Sequence, residues 1–250
     1  MTVKNSLTMF EYVAADEQNF LTTLHNFPTE FDLFGMVTDL YQLGEVEIPQ
    51  QHAVPIQLFN FIRTHLLFST ATLMRCHMSE AQNSVRVAID AALIAYRIVE
   101  GHGTQEEYIE GANSFNQTPR YIKNKRKHDP DVFPFADHLL NLHSLFSNIA
   151  SHADFSVFSH RLRITKLEGR REYLQLGFFQ RPDDPDEFRF FLLGHLHTFV
   201  IMAAIFEELL SSTLRVVPQG WGVNLHALGS TVESRRDAAK AAYEAKKRTT

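Results

Sequence analysis

The segment NSVRVAIDAALIAYRIVE, residues 83–100, is apolar on nearly every side of the helix it must form. At about 100° per residue, Asn83, Arg86, Asp90 and Arg97 fall within an arc of roughly 60°. A helix with so narrow a polar arc needs neighbours on all its other sides, which places it at the centre of a bundle. The stripe itself must either face solvent or find polar partners, because an unpaired buried charge is costly. Arg86 and Asp90, four residues apart, are spaced to pair along it.

Further helical patterns supply the neighbours. One runs from Thr29 to about Leu43, and Pro55 opens another, VPIQLFNFIRTHLLFSTATLMRCHM. Ser79 with Gln82 and Thr104 with Glu107 read as capping boxes, in which each side chain satisfies an exposed amide of the other. Gly101 and Gly103 end the helix before them, and Thr118-Pro119 offers an N-cap followed by proline at the first helical position. Pro134 precedes a helix to about His152. The acidic start Asp184-Pro185-Asp186-Glu187 opens a core helix expected to reach about Leu214.

Between these last two, Leu162 and Ile164 alternate with polar residues, and Leu174, Leu176 and Phe178 do so again after Gly169. That pattern predicts a β-hairpin over about residues 160–180, which must pack on the helices because a lone hairpin is marginal in water. From Ser230, with Glu233 as its capping partner, an Ala- and Lys-rich helix has few large apolar residues. The fold expected is therefore mainly α: a multi-helix bundle with one inserted hairpin and a weakly packed C-terminal helix. It divides into a single domain over 1–229 and a polar helix or tail over 230–250, dispensable for folding.

Bulk properties narrow the compartment and the chemistry. The net charge of −5 argues against general attraction to nucleic acid or acidic membranes. A single cysteine, Cys76, in mid-helical pattern, allows no internal disulfide and suits a reducing compartment. The N-terminus lacks an apolar signal region, and the stretch FFLLGHLHTFVIMAAIF is too short and too His-interrupted to span a bilayer. The chain is expected to be cytoplasmic, without a membrane partner.

Thirteen histidines do not add up to a metal site. His195 and His197, two apart on a helix, point in nearly opposite directions, and His138 and His143 diverge by about 140°. No zinc-protease or di-iron spacing, phosphate loop or nucleophile elbow is present, so neither metal nor cofactor is expected.

The candidate site is the junction SNIASHAD. On the helix from Phe135 to His152, the residues Asp137, His138, Asn141, Ser144, Asn148, Ser151 and His152 share one side. Asn148, Ser151, His152 and Asp154 are suited to meet Arg86 and Asp90 in a shared polar pocket, where the His152 imidazole is a candidate general acid or base, or equally a structural hydrogen-bond hub. A basic cluster, Lys123, Lys125, Arg126 and Lys127, is a candidate for contact with nucleic-acid phosphates.

The pairing of RVAIDAALIAYRIV with a later helix ending in SNIASHAD resembles the HEPN-like helical bundle proteins of uncharacterised bacterial families. Arg97-x4-His102 and Arg189-x5-His195 fit the Arg-x(4–6)-His spacing of that family's nucleases, but Ile98 and Phe190 stand where a polar residue usually follows the arginine. The resemblance implies a dimeric bundle linked to RNA or to bacterial defence. Three classes of function follow: a binding or interaction module with a buried polar cluster, a HEPN-like RNA-binding or RNA-processing protein, and a small-molecule enzyme using the His152 cluster. Possible partners are a second copy, an RNA or another protein.

Overall fold

A computed structural model describes residues 8–43, 48–151, 162–167, 171–176, 179, 182, 184–214 and 220–249, with residues 148–151, 162–167, 171–176, 212–214 and 249 described by their backbone alone. The chain is mainly helical and folds as a multi-helix bundle. Its helices are α1 (Met9–Asn26), α2 (Pro28–Leu40), α3 (Ala53–Met74), α4 (Met78–Val99), α5 (Gln105–Ile109), α6 (Thr118–His128), α7 (Ala136–Ser151), α8 (Pro185–Ala204) and α9 (Trp221–Thr249). Between α7 and α8, the backbones of Leu162–Leu167 and Arg171–Leu176 run antiparallel, with Leu162 opposite Leu176. The docking of a hairpin on the helices rests on side chains outside those described.

The all-round apolar segment does take the centre. Helix α4 packs on α3, α6 and α7, while α8 packs on α2, α3 and α9. Ala88, Ile89, Ala92, Leu93 and Ala95 of α4 have essentially no exposed surface, and Phe59 of α3, Phe199 of α8 and Phe206 just after α8 meet the same core. Tyr41 stacks on Phe59 at 4.7 Å between ring centroids and donates its hydroxyl to the Phe199 carbonyl.

Arg97 departs from the expected stripe. It is 3% exposed, because the chain after α4 folds back over it. Its guanidinium lies 4.3 Å from the Phe115 ring and 4.1 Å from the Tyr121 ring, and donates to the Ser114 and His102 carbonyls and the Thr118 hydroxyl. Stacking between rings and bonding to carbonyls partly replaces lost water, yet burial still lowers the arginine's pKa.

Several helix ends differ from the sequence reading. Thr104 with Glu107 and Asp184 cap their helices as expected. Helix α4, however, starts at Met78 with no side-chain cap, so Ser79 and Gln82 do not form the capping box. Cys76 is not mid-helix but takes a left-handed conformation (φ 66°) at the end of α3, and His77 N–H closes the turn onto the Thr72 carbonyl. A hydrogen-bonded turn of this kind accepts a left-handed residue after the helix, and here the small buried thiol fills the role more often taken by glycine. Thr118 is inside α6 rather than its cap, and its hydroxyl donates to the Phe115 carbonyl. Helix α8 ends at Ala204, ten residues early, and the chain continues through a wider π-helical turn at Leu209–Leu214.

The C-terminal helix is the largest correction. It begins at Trp221, not Ser230, anchored by the Trp221 indole N–H on the Leu40 carbonyl at 3.0 Å. It then runs through position 230 without a break, and Val232 (0% exposed) and Ala239 (5%) are buried against the core. The tail therefore packs. Among the described residues, no helix is long and apolar enough to cross a membrane.

Candidate functional site

The expected Arg86–Asp90 ion pair does not form. Asp90 pairs with His143 of α7 at 2.9 Å, while the Arg86 Nε is enclosed without a hydrogen-bond partner. The α4 stripe does meet a polar residue of α7, but through a histidine that the helical wheel had left unassigned. Asn148 and Ser151 lie on the last turn of α7 with their side chains outside the described set, and His152 and Asp154 lie outside the described residues. Because the Asp90 side chain is 37% exposed, Asp90→Ala is expected to cost less than about 1 kcal/mol in a urea melt. A loss of roughly 3 kcal/mol or more would place Asp90 in a buried network after all.

The other sequence candidates are dispersed. Arg126 is committed to the fold: its Nε and Nη2 donate to Asp137 at 2.8 and 2.6 Å, and its Nη1 to the Val132 and Phe133 carbonyls. That clamp withdraws it from the candidate basic cluster, while Lys123, Lys125 and Lys127 remain exposed. Of the two Arg–His spacings, Arg97 is enclosed as described. Arg189 pairs with Glu30 and Asp186, while His195 bonds to Thr70 of α3, so the two side chains have no partner in common.

A cleft appears instead where α4, α7, α8 and α9 converge. It has a volume of about 390 Å³ and is walled by apolar side chains including Met78, Val85, Leu142, Phe146 and Phe190. Gly194 keeps one wall open, since a Cβ there would meet no atom within 4 Å. The polar lining comes from Gln82 of α4, His138 of α7, Thr198 of α8, and Arg236, Asp237 and Lys240 of α9, with His195 of α8 also in the wall.

Each polar group has a defined role. Arg236 Nη1 lies 2.7 Å from His197 Nδ1, and a guanidinium can only donate, so Nδ1 accepts and the imidazole proton sits on Nε2. Arg236 also reaches Asp237 at 2.9 Å and Glu233 at 3.6 Å. Burial first, then the Arg236 charge, push His197 down to about 4, and the same two causes in the same order lower His138. The His138 and His197 rings meet edge to face at 5.4 Å. Thr198 donates its hydroxyl to the Gly194 carbonyl, which leaves its oxygen to accept from His138 Nε2 at 3.4 Å.

His195 points the other way. Its Nε2 lies 2.9 Å from the Thr70 hydroxyl and 3.2 Å from that of Ser69, and burial alone drives its pKa to about 3. The sequence-level divergence of His195 from His197, and of His138 from His143, thus appears as four different sets of partners. Among the described residues, no group of three or more His, Cys, Asp or Glu side chains is placed to hold a metal ion.

Imidazoles with pKa values near 3 and 4 are weak bases, ill-matched to proton transfer at neutral pH. They serve better as neutral hydrogen-bonding groups beside an apolar wall. Comparison with protein-family models, curated proteins and solved structures gives no match.

Proposed function

We propose that the chain is a binding protein for a small amphipathic molecule, held in the cleft between α4, α7, α8 and α9. The observation that carries this reading is the combination of apolar walls, a volume of about 390 Å³ and a small set of hydrogen-bonding side chains among them. Ligand sites commonly have this character, with volumes of roughly 300–1,000 Å³ and a few convergent polar groups. The enclosure of Arg97, and the commitment of the His195 Nε2 to the Thr70 and Ser69 hydroxyls, favour binding over RNA cleavage through either Arg–His spacing.

The test uses a neutral apolar fluorophore, N-phenyl-1-naphthylamine, with the full chain. Saturable, blue-shifted fluorescence is expected for the wild type. Gly194→Phe, which fills the cleft from a position with open space around its Cβ, is expected to abolish that signal while leaving the melting temperature within a few degrees. No saturable signal from the wild type, or an undiminished one from a folded variant, defeats the reading.

A further inference from the structure

We infer that the ligand of this cleft is a monoanionic acid, a carboxylate on an apolar tail, whose head group is held by Arg236 and Lys240. The inference rests on the binding reading above and adds the chemistry of the head group.

The polar lining of the cleft is rich in donors. Arg236 and Lys240 are cations one turn apart on α9, so both project over the same stretch of the cleft. Gln82, across on α4, can donate as well. The Thr198 hydroxyl has its proton committed to Gly194. Asp237 is the only carboxylate among the described lining residues. It turns one oxygen, Oδ1, to both Arg236 Nε and Nη2.

Lys240 is the less committed of the two cations. Its ammonium is 3.9 Å from Glu244, and its side chain is about half exposed (55%), so an incoming acid displaces little. The Arg236 guanidinium is itself among the lining groups of the cleft, beside Lys240. Asp237 and Glu233 nevertheless stand beside the same guanidinium. They oppose a second negative charge, which favours a carboxylate over a phosphate dianion. Apolar walls beyond the cations then select for the tail.

Decanoate and decanol share one chain and differ only at the head, so they separate the two ideas. Both are titrated into the full chain against the bound naphthylamine at low salt and neutral pH. Decanoate is expected to bind at least about tenfold more tightly than decanol, because a charge-assisted bond replaces a neutral one. Lys240→Gln is expected to weaken decanoate several-fold and Lys240→Glu by more, with decanol unchanged in both. Lys240 is exposed enough that neither change should unfold the chain, and circular dichroism melts check this. Equal binding of acid and alcohol, or decanoate binding insensitive to Lys240→Glu, overturns the acid inference and leaves the cleft reading intact. Failure of both compounds to displace the fluorophore overturns the inference as well. If the fluorophore itself does not bind, the cleft reading has failed.

Discussion

Truncation at Gly229 is expected to lower stability by at least about 3 kcal/mol, and to leave a chain that is poorly soluble or melts far below the full-length protein. The removed segment includes Val232, which is wholly enclosed, and full burial of such a side chain is worth roughly 1.5–3 kcal/mol. Ala239 adds a smaller share. Two polar anchors go with them: Arg236 on His197, and the Tyr243 hydroxyl on Glu187 at 2.6 Å. Hydrogen bonds to charged partners contribute about 1.5–3 kcal/mol when shielded, and less here because both are partly solvated. The loss also uncovers apolar surface on α8, the neighbour of α9, and so promotes aggregation. Lys246 pairs with Asp184 and Asp186 at the N-terminus of α8, tying the far end of α9 to the start of the helix beside it. Urea melts of the full chain and the truncation decide the matter. A change below about 1 kcal/mol would return the tail to the dispensable appendage that its composition suggests.

That composition misled for an identifiable reason. Val232, Ala239 and Tyr243 form a stripe too thin to stand out among Lys, Arg and Glu, and only the close approach of α8 makes small residues there sufficient. Serine at 230 has the Ser-x-x-Glu pattern of a cap with Glu233, but the same pattern also occurs inside a longer helix, where the amides are already bonded. The same signal, read at Thr8 and Glu11, would have found α1, which the sequence reading passed over although both reciprocal bonds are present. Local chemistry was a sound guide at Thr104, at Asp184 and for the central place of α4, but not at Ser79 or Thr118, where the same residue types sit inside helices.

The cleft was not legible in this way. Its polar lining joins position 138 to positions 198 and 236–240, on three helices whose relative rotation no single-helix wheel contains. Divergence of His195 from His197 was deducible, but not that His197 would face Arg236. Likewise Arg97 shares an arc with Asn83, and only the fold of the following chain makes one buried and the other exposed.

The second large effect is an acid instability centred on α8. Stability is expected to be fully present above about pH 6.5 and to fall steadily as the pH drops towards 5, before most carboxylates titrate. His195 and His197 have pKa values of about 3 and about 4 in the folded chain, below the ordinary 6.5. Between those limits the unfolded chain binds more protons than the folded one, so lowering the pH favours unfolding. The sign is that of a base buried in its neutral form. At pH 5 the gap to 6.5 corresponds to about 2 kcal/mol for His195. His197 contributes less, because its ring is more open to solvent and its charge would be screened. Other groups face this region and set what else can titrate: His138 from α7, Arg236 and Asp237 from α9, and the neutral hydroxyls of Ser69 and Thr70 from α3. Only the histidines among them change charge between pH 6.5 and 5. His195→Gln cannot be protonated, and it should flatten the slope of stability against pH by about half in that window, whatever it costs at pH 7. Denaturant melts at half-unit intervals from pH 7.5 to 4.5 measure both slopes. A wild-type stability that is constant from pH 7 to 5, or a His195→Gln slope equal to the wild type's, would show that His195 is not held neutral by the packing of α3 against α8.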